Sequence, residues 1–281
     1  MGIEDRVGVV IPNFNNGTYL TDAVESAVAA LGAPGNIVVV DDGSTEAGTS
    51  ELLDSLEARG VRVVRQENAG VSVARNVGIS MLTTPYVLPL DSDDLMDERA
   101  PRVIAEHLDA DPESVFVAGG YRDLRPDGTR SDPVWPESVT RDGMRHRTFV
   151  SICTGFRRKD WETVGGFPAG VAVGEDWIFW MRLLRLRDRG LSVPHVFLTV
   201  RAHEGQTTRY IRDVRRVAVA QNMVLRENPD LVDAHRDELI DELCRQRQVL
   251  AEYRHAYQRM DRLKRRAKAF KGRLNGWRFA R

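Results

Sequence analysis

Three groups of carboxylates carry the chemistry this sequence could do. Asp91-Ser92-Asp93-Asp94 follows directly on the apolar run Tyr86–Leu90. If extended backbone continues through it, Asp91 and Asp93 point to one side, because side chains two apart share a face. Neighbouring carboxylates repel one another unless positive charge sits among them. A hard divalent cation such as Mg²⁺ or Mn²⁺ would supply it, taking carboxylate oxygens together with phosphate oxygens and water. A solvated acidic turn that caps the next helix, with Asp97 and Glu98 in its first turn, is the competing account.

The second group, Asp41-Asp42-Gly43-Ser44, follows the run Ile37–Val40. An aspartate there can accept the imide N–H of a pyrimidine base or bond a ribose, although Asp, Gly and Ser are also ordinary turn residues. The third is Glu175-Asp176, opening a segment with Trp177, Trp180, Met181 and Leu184 on one helical face. A carboxylate at a helix start is stabilised by the helix dipole. Placed beside a hydroxyl, the same group acts as a general base.

The elements that must position these groups alternate. Short β-branched runs at Val7–Ile11, Ile37–Val40, Val61–Arg65, Tyr86–Leu90 and Val115–Gly119 read as buried strands. Between them lie segments of helical period, such as Leu20, Val24, Val28 and Leu31. This pattern predicts a doubly wound, mainly parallel sheet with crossover helices, in which ligands bind beyond the carboxyl ends of the strands. Tyr121–Thr148 is rich in Arg, Asp, Pro and Gly without a period, and reads as loops. A helix is expected from Glu175, and a further strand at Val196–Val200.

The segments VVIPNFNNGTYL, IVVVDDGST, ENAGVSVARNVGI, YVLPLDSDD and GGFPAGVAVGEDWIFWMRL, in that order from Val7 to Leu184, resemble the successive motifs of family-2 glycosyltransferases with the GT-A fold. The resemblance implies an α/β fold of GT-A type, a Rossmann-like and mainly parallel sheet flanked by helices. It also implies inverting, metal-dependent transfer from a nucleotide sugar, most often a UDP-sugar, onto a hydroxyl. Pro12 and Phe14 match the segment lining the base pocket, and Asp42 the acid that reads the base. Asp91 matches a ribose or metal contact, Asp93 the principal metal ligand and Asp176 the catalytic base. Arg75, beside Asn76, stands where a basic side chain can approach the diphosphate; a helix-surface ion pair is its other account. His203 resembles a histidine that completes the metal or phosphate site in some GT-A enzymes. Mn²⁺ or Mg²⁺ is the expected cofactor.

Three other functions compete. A nucleotidyltransferase shares the fold and the metal-bound acids, but PNFNNGTYL lacks the basic residues that hold a triphosphate. A non-catalytic nucleotide-sugar or glycan-binding module has no use for Asp93 and Asp176 together. A processive synthase is disfavoured because no Gln-x-x-Arg-Trp segment occurs.

The 281 residues fit one large domain or a domain with an appendage. Expected boundaries are a catalytic domain over 1–212, with a nucleotide-sugar half to about 120 and an acceptor half from 121, and a basic helical extension over 213–281. No apolar run reaches the roughly 18 residues of a membrane span. Cys153 and Cys244 offer neither a disulfide framework nor a zinc cluster, which with the lack of a signal segment suggests a cytoplasmic protein. From Leu250 to Arg281 eleven Lys or Arg face two acids, a local net of +9 against −1 for the whole chain. Apolar residues recur there from Leu250 to Trp277 near helical spacing. A basic amphipathic helix of this kind is suited to peripheral placement at the inner face of a membrane, or to a partner surface or homo-oligomer contact. The acceptor is expected to be a glycan, a lipid-linked sugar or a small molecule, and no nucleic-acid partner is expected.

Overall fold

The computed structural model describes residues 2–148, 150–203, 214–252 and 254. Strand β1 (Val7–Asn13) enters the middle of the sheet, and helix α1 (Gly17–Leu31) returns the chain to β2 (Ile37–Asp41). Every residue of β1 and β2 is buried, as a strand covered by helices on both faces requires. On α1 the buried residues Leu20, Ala23, Val24, Ala27 and Leu31 form one stripe at helical spacing. Helix α2 (Thr49–Ala58), β3 (Arg62–Arg65), α3 (Val71–Ser80) and β4 (Tyr86–Pro89) complete a parallel layer. Gly78 lets α3 approach it closely: a Cβ there would lie 2.6 Å from Val10 and 3.0 Å from Val40.

The second half is mixed. After the two-residue β5 (Leu95–Met96) and α4 (Ala100–Ala110) come β6 (Phe116–Leu124), β7 (Thr154–Arg157), α5 (Arg158–Val164), α6 (Glu175–Leu186) and β8 (Gly190–Arg201). The strand order is β3-β2-β1-β4-β7-β6-β8-β5. β7 runs antiparallel to both β4 and β6, β6 and β8 are parallel, and β5 is antiparallel to β8. The expected strand at Val196–Val200 lies within the longer β8, and β6 continues past Gly119 into the stretch that reads as loops. β7 and α5 were not legible in advance, because Thr154-Gly155-Phe156-Arg157 shows neither alternation nor an apolar run.

Apolar residues of β1 pack with α1 and α4 in one core on one side of the sheet. On the other, Phe116 and Phe156 meet Phe167, Phe179 and Trp180, with Phe167 and Phe179 stacked 4.0 Å apart. Helix α7 (Val214–Glu227) packs on α6, where Arg182 forks onto the Glu227 carboxylate at 2.7 and 2.8 Å. Residues 1–227 form one compact unit and 228–281 another. The second unit contains α8 (Pro229–Ala234) and a helical stretch over 236–252. Residues 255–281, which hold most of the basic amphipathic stretch, lie outside the described residues. No helix among the described residues is long and apolar enough to cross a membrane.

Candidate active site

The carboxyl ends of β1, β2 and β4 converge with the start of α6. At the end of β1, Asn13 donates to Asp41 Oδ1 at 2.9 Å, and the Ser44 hydroxyl bonds the same oxygen at 2.5 Å, which ties the first two strand ends together. Asp42 is buried and oriented by the loop before α3. Its Oδ1 accepts from Gln66 Nε2 at 2.7 Å and from the Ala69 amide at 2.8 Å, and its Oδ2 accepts from the Gly70 amide at 2.8 Å. Pro12 is buried within β1, while Phe14, two residues on, is 47% exposed.

The acidic stretch after β4 is not extended. It turns at once, with the Asp94 amide donating to the Asp91 carbonyl at 3.2 Å. Asp91, Asp93 and Asp94 therefore do not alternate along a strand but gather, with one carboxylate oxygen of each within 4.8 Å of the others. Burial, and then Asp91, push the Asp93 carboxyl above its ordinary value. Burial, Asp91 and Asp93 push Asp94 well above. The turn is held from outside by the Arg201 amide on Asp94 Oδ1 at 3.0 Å and by Arg201 Nε on the Asp93 carbonyl at 3.3 Å. His203 Nε2 lies 2.8 Å from Asp93 Oδ2, and its ring packs on Tyr19 at 4.8 Å.

Arg75 is neither on a helix surface nor free to roam. It is 3% exposed, and its guanidinium donates to Asp91 Oδ1 and to Glu175 Oε1, each at 2.8 Å. Its charge also lies 5.4 Å from the Phe167 ring. Burial opposes that charge, but Asp91 and Glu175 outweigh it and hold the group protonated. Arg75 thus clamps the acidic turn to the first residue of α6.

Asp176 follows that clamped residue. It is half-buried, and its Oδ1 accepts from the Trp177 amide at 2.7 Å. Burial, and then the neighbouring Glu175, push its carboxyl up to about 7, against the pull of the Trp177 amide and Arg75. A carboxylate that changes charge near neutrality is suited to accepting a proton. Asn76, the neighbour of Arg75, accepts from Trp161 Nε1 and the Phe167 amide and donates to the Phe167 carbonyl, so it shapes the segment leading to α6.

The structure brings Asp91, Asp93, Arg75, Asp176 and His203 into one network, with Asp42, Pro12 and Phe14 at the adjoining strand ends. Two residues of the carboxylate groups, Asp94 and Glu175, take parts that the sequence reading did not assign to them. Asp94 joins the acidic cluster, a role its position beside Asp93 could have signalled. Glu175 is the second partner of Arg75, and the 100 residues between them leave no local trace.

A family model described as Glycosyl transferase family 2 matches residues 8–164. The glycosyltransferase GlyG of Streptococcus pneumoniae serotype 4 is 31% identical over 129 residues, which cover 45% of this chain and 42% of GlyG. The chondroitin synthase of Pasteurella multocida is 25% identical over 181 residues, 63% of this chain and 18% of that protein. The chain therefore spans less than half the length of either relative. Among solved structures, S. aureus TarS 1–349 in complex with UDP-GlcNAc superposes with a TM-score of 0.60 at 20% identity, over 82% of this chain and 73% of that one. The mannosyltransferase PcManGT from Pyrobaculum calidifontis, in complex with GDP-Man and Mn²⁺, gives 0.55 at 17% identity, over 83% and 75%. The chain has the GT-A fold and belongs to glycosyl transferase family 2.

Proposed function

We propose that the protein transfers a sugar with inversion from a nucleoside-diphosphate donor, a UDP-sugar foremost, to an acceptor hydroxyl, and that a divalent cation is required. The observation that carries this is the Arg75 clamp, which fastens the acidic turn to the Glu175-Asp176 pair and so makes one site of the two. The complexes of TarS with UDP-GlcNAc and of PcManGT with GDP-Man and Mn²⁺ support the donor class and the metal.

The residues present fit Mn²⁺ or Mg²⁺. Three converging carboxylates, two of them pushed above their ordinary value by burial and by one another, are a hard-oxygen donor set. Asp93 and Asp91 would hold the cation, with Asp94 beside them and His203 against Asp93. When bound, such an ion stabilises the charge of the departing diphosphate as a Lewis acid. Asp42, fixed by Gln66, Ala69 and Gly70, receives the N–H of the base, and Pro12 and Phe14 line that pocket. Asp176 takes the proton of the acceptor hydroxyl as it attacks opposite the diphosphate. One displacement of this kind inverts the anomeric centre and needs no covalent intermediate. The acceptor is a glycan, a lipid-linked sugar or a small molecule, and the basic stretch beyond Leu250 would bring the enzyme to an anionic membrane carrying a lipid-linked one.

Incubation with UDP-sugars, with Mn²⁺ or with excess chelator, followed by NMR of the product, tests this. Metal-dependent product with the anomeric configuration opposite to the donor is expected. Turnover insensitive to chelator, or retention of configuration, would overturn it.

A further inference from the structure

Two aromatic side chains are exposed among the described residues, Phe14 at 47% and Trp135 at 42%. Phe14 belongs to the base pocket in the function proposed above. Trp135 has no part in it, yet it is held firmly. Tyr121 and Val134 exchange backbone hydrogen bonds at 3.0 and 2.7 Å, which fastens the Trp135 segment to the end of β6. Pro133 and Pro136 flank it with fixed φ, and Ser192 Oγ donates to the Pro136 carbonyl at 3.4 Å. The indole seats on Gly120, where a Cβ would come within 2.6 Å of Trp135 Cε3 and Cζ3. A rigid backbone and a seat without a side chain keep an apolar ring in water.

The sheet shows where that ring stands. Phe156 of β7 is level with both Val87 of β4 and Phe116 of β6, and β4 and β6 run the same way. Asp91 and Gly120 therefore each lie four residues beyond a common level, two strand spacings or about 10 Å apart before twist and bulge are counted. β7 begins at Thr154, opposite Ala118, and the buried residues Val150, Ile152 and Cys153 lead into it. The face is also the right one. The Val139 carbonyl accepts from the Gly190 amide, and a Cβ on Gly190 would touch both Val139 and the Phe116 ring, which meets Trp180 of α6. Farther along the loop the Met144 carbonyl accepts from Trp177 Nε1 at 2.7 Å. The loop bearing Trp135 thus covers the face of the sheet on which α6 presents Glu175 and Asp176.

We propose that Trp135 is a stacking platform for a pyranose ring of the acceptor, set on the same face of the sheet as the start of α6. The face of an indole is electron-rich and apolar, and a pyranose offers it a face of polarised C–H bonds while its hydroxyls stay in water. The platform rests on the acceptor being a sugar, which deepens the function proposed above.

Saturation-transfer NMR and fluorescence titration of the full chain with p-nitrophenyl β-glycosides of glucose, galactose and N-acetylglucosamine test it. Measurements on the wild type, Trp135→Ala and Trp135→Phe are paired with calorimetry of UDP and Mn²⁺. Weakening of glycoside binding by about tenfold in Trp135→Ala, partial recovery in Trp135→Phe, and unchanged UDP binding and melting temperature are expected. Equal glycoside affinity in all three proteins, or no glycoside bound by the wild type, would overturn the platform. If UDP fails to bind the wild type while glycoside binding still depends on Trp135, the donor assignment fails and the platform stands.

Discussion

Asp176→Asn should make the protein more stable at pH 8 while sharply lowering its turnover. In the folded chain the carboxyl holds its proton up to about 7, against an ordinary value of 3.8. The native state therefore binds more protons than the unfolded chain between these limits, so stability falls as pH rises through that window and the loss is complete above about 7. Each tenfold difference in proton affinity is worth about 1.4 kcal/mol, which sets a ceiling near 4 kcal/mol; because the burden is shared with Glu175, ~2 kcal/mol is the expected gain for the amide. For a unit of this size that is a rise of roughly 4–8 °C in melting temperature at pH 8, shrinking to nothing near pH 4. The amide keeps the shape and removes the proton acceptor, so turnover should fall by about 10²-fold or more with donor binding intact. Thermal melts of both proteins from pH 4 to 8, with initial rates on the same preparations, are the assay. A variant that melts at or below the wild type at pH 8, or that keeps near-normal turnover, would refute the placement of a strained base at residue 176.

Three further outcomes are expected. Asp93→Ala should lose the Mn²⁺-dependent part of UDP affinity in calorimetry; equal affinity with metal and with chelator in the wild type would speak against the acidic turn as the metal site. Arg75→Gln strands the part-buried Glu175 and Asp91 without their cation, costing up to about 3 kcal/mol in urea unfolding, and, because Arg75 lowers the Asp176 pKa, should move the acid limb of the rate profile to higher pH. An unchanged limb and midpoint would show that the clamp does not bear on the base. The full chain should sediment with anionic vesicles and release as salt rises, at roughly 1 kcal/mol per basic residue near the surface; no binding, with loss of a dimer when 250–281 is removed, would assign that stretch to assembly.

Strands β1, β2 and β4 were legible because they are fully covered, which writes them as apolar runs such as Val7–Ile11 and Ile37–Val40. The acids at their ends were equally plain, since a charged cluster directly after a buried strand has few places to be. Local pattern failed where geometry is decided at a distance. Gathering of Asp91, Asp93 and Asp94 depends on a turn held by Arg201, more than a hundred residues away. The Arg75–Glu175 pair lies across the two halves of the sheet, and no period joins them. β7 hides because Gly155 sits where Ile104 packs against the backbone and Arg157 reaches the carbonyls of Leu108 and Asp111, contacts that replace the usual strand residues.

The late arrival of β7 in the chain has a bearing on how the protein is made. β4 and β6 never pair directly; the strand between them comes from residues 154–157. Tyr86 must wait for Arg157, 71 residues later, which at about 5–20 residues per second of synthesis is roughly 4–14 s with one edge of β4 unpaired. Arg75 waits longer for Glu175, holding a charge that has only Asp91 to meet. The nucleotide-binding half is therefore not a module that can be finished first. A fragment ending at residue 124 would present an open, valine-bearing edge to its own kind, and analytical ultracentrifugation should find it associated where the full chain is not.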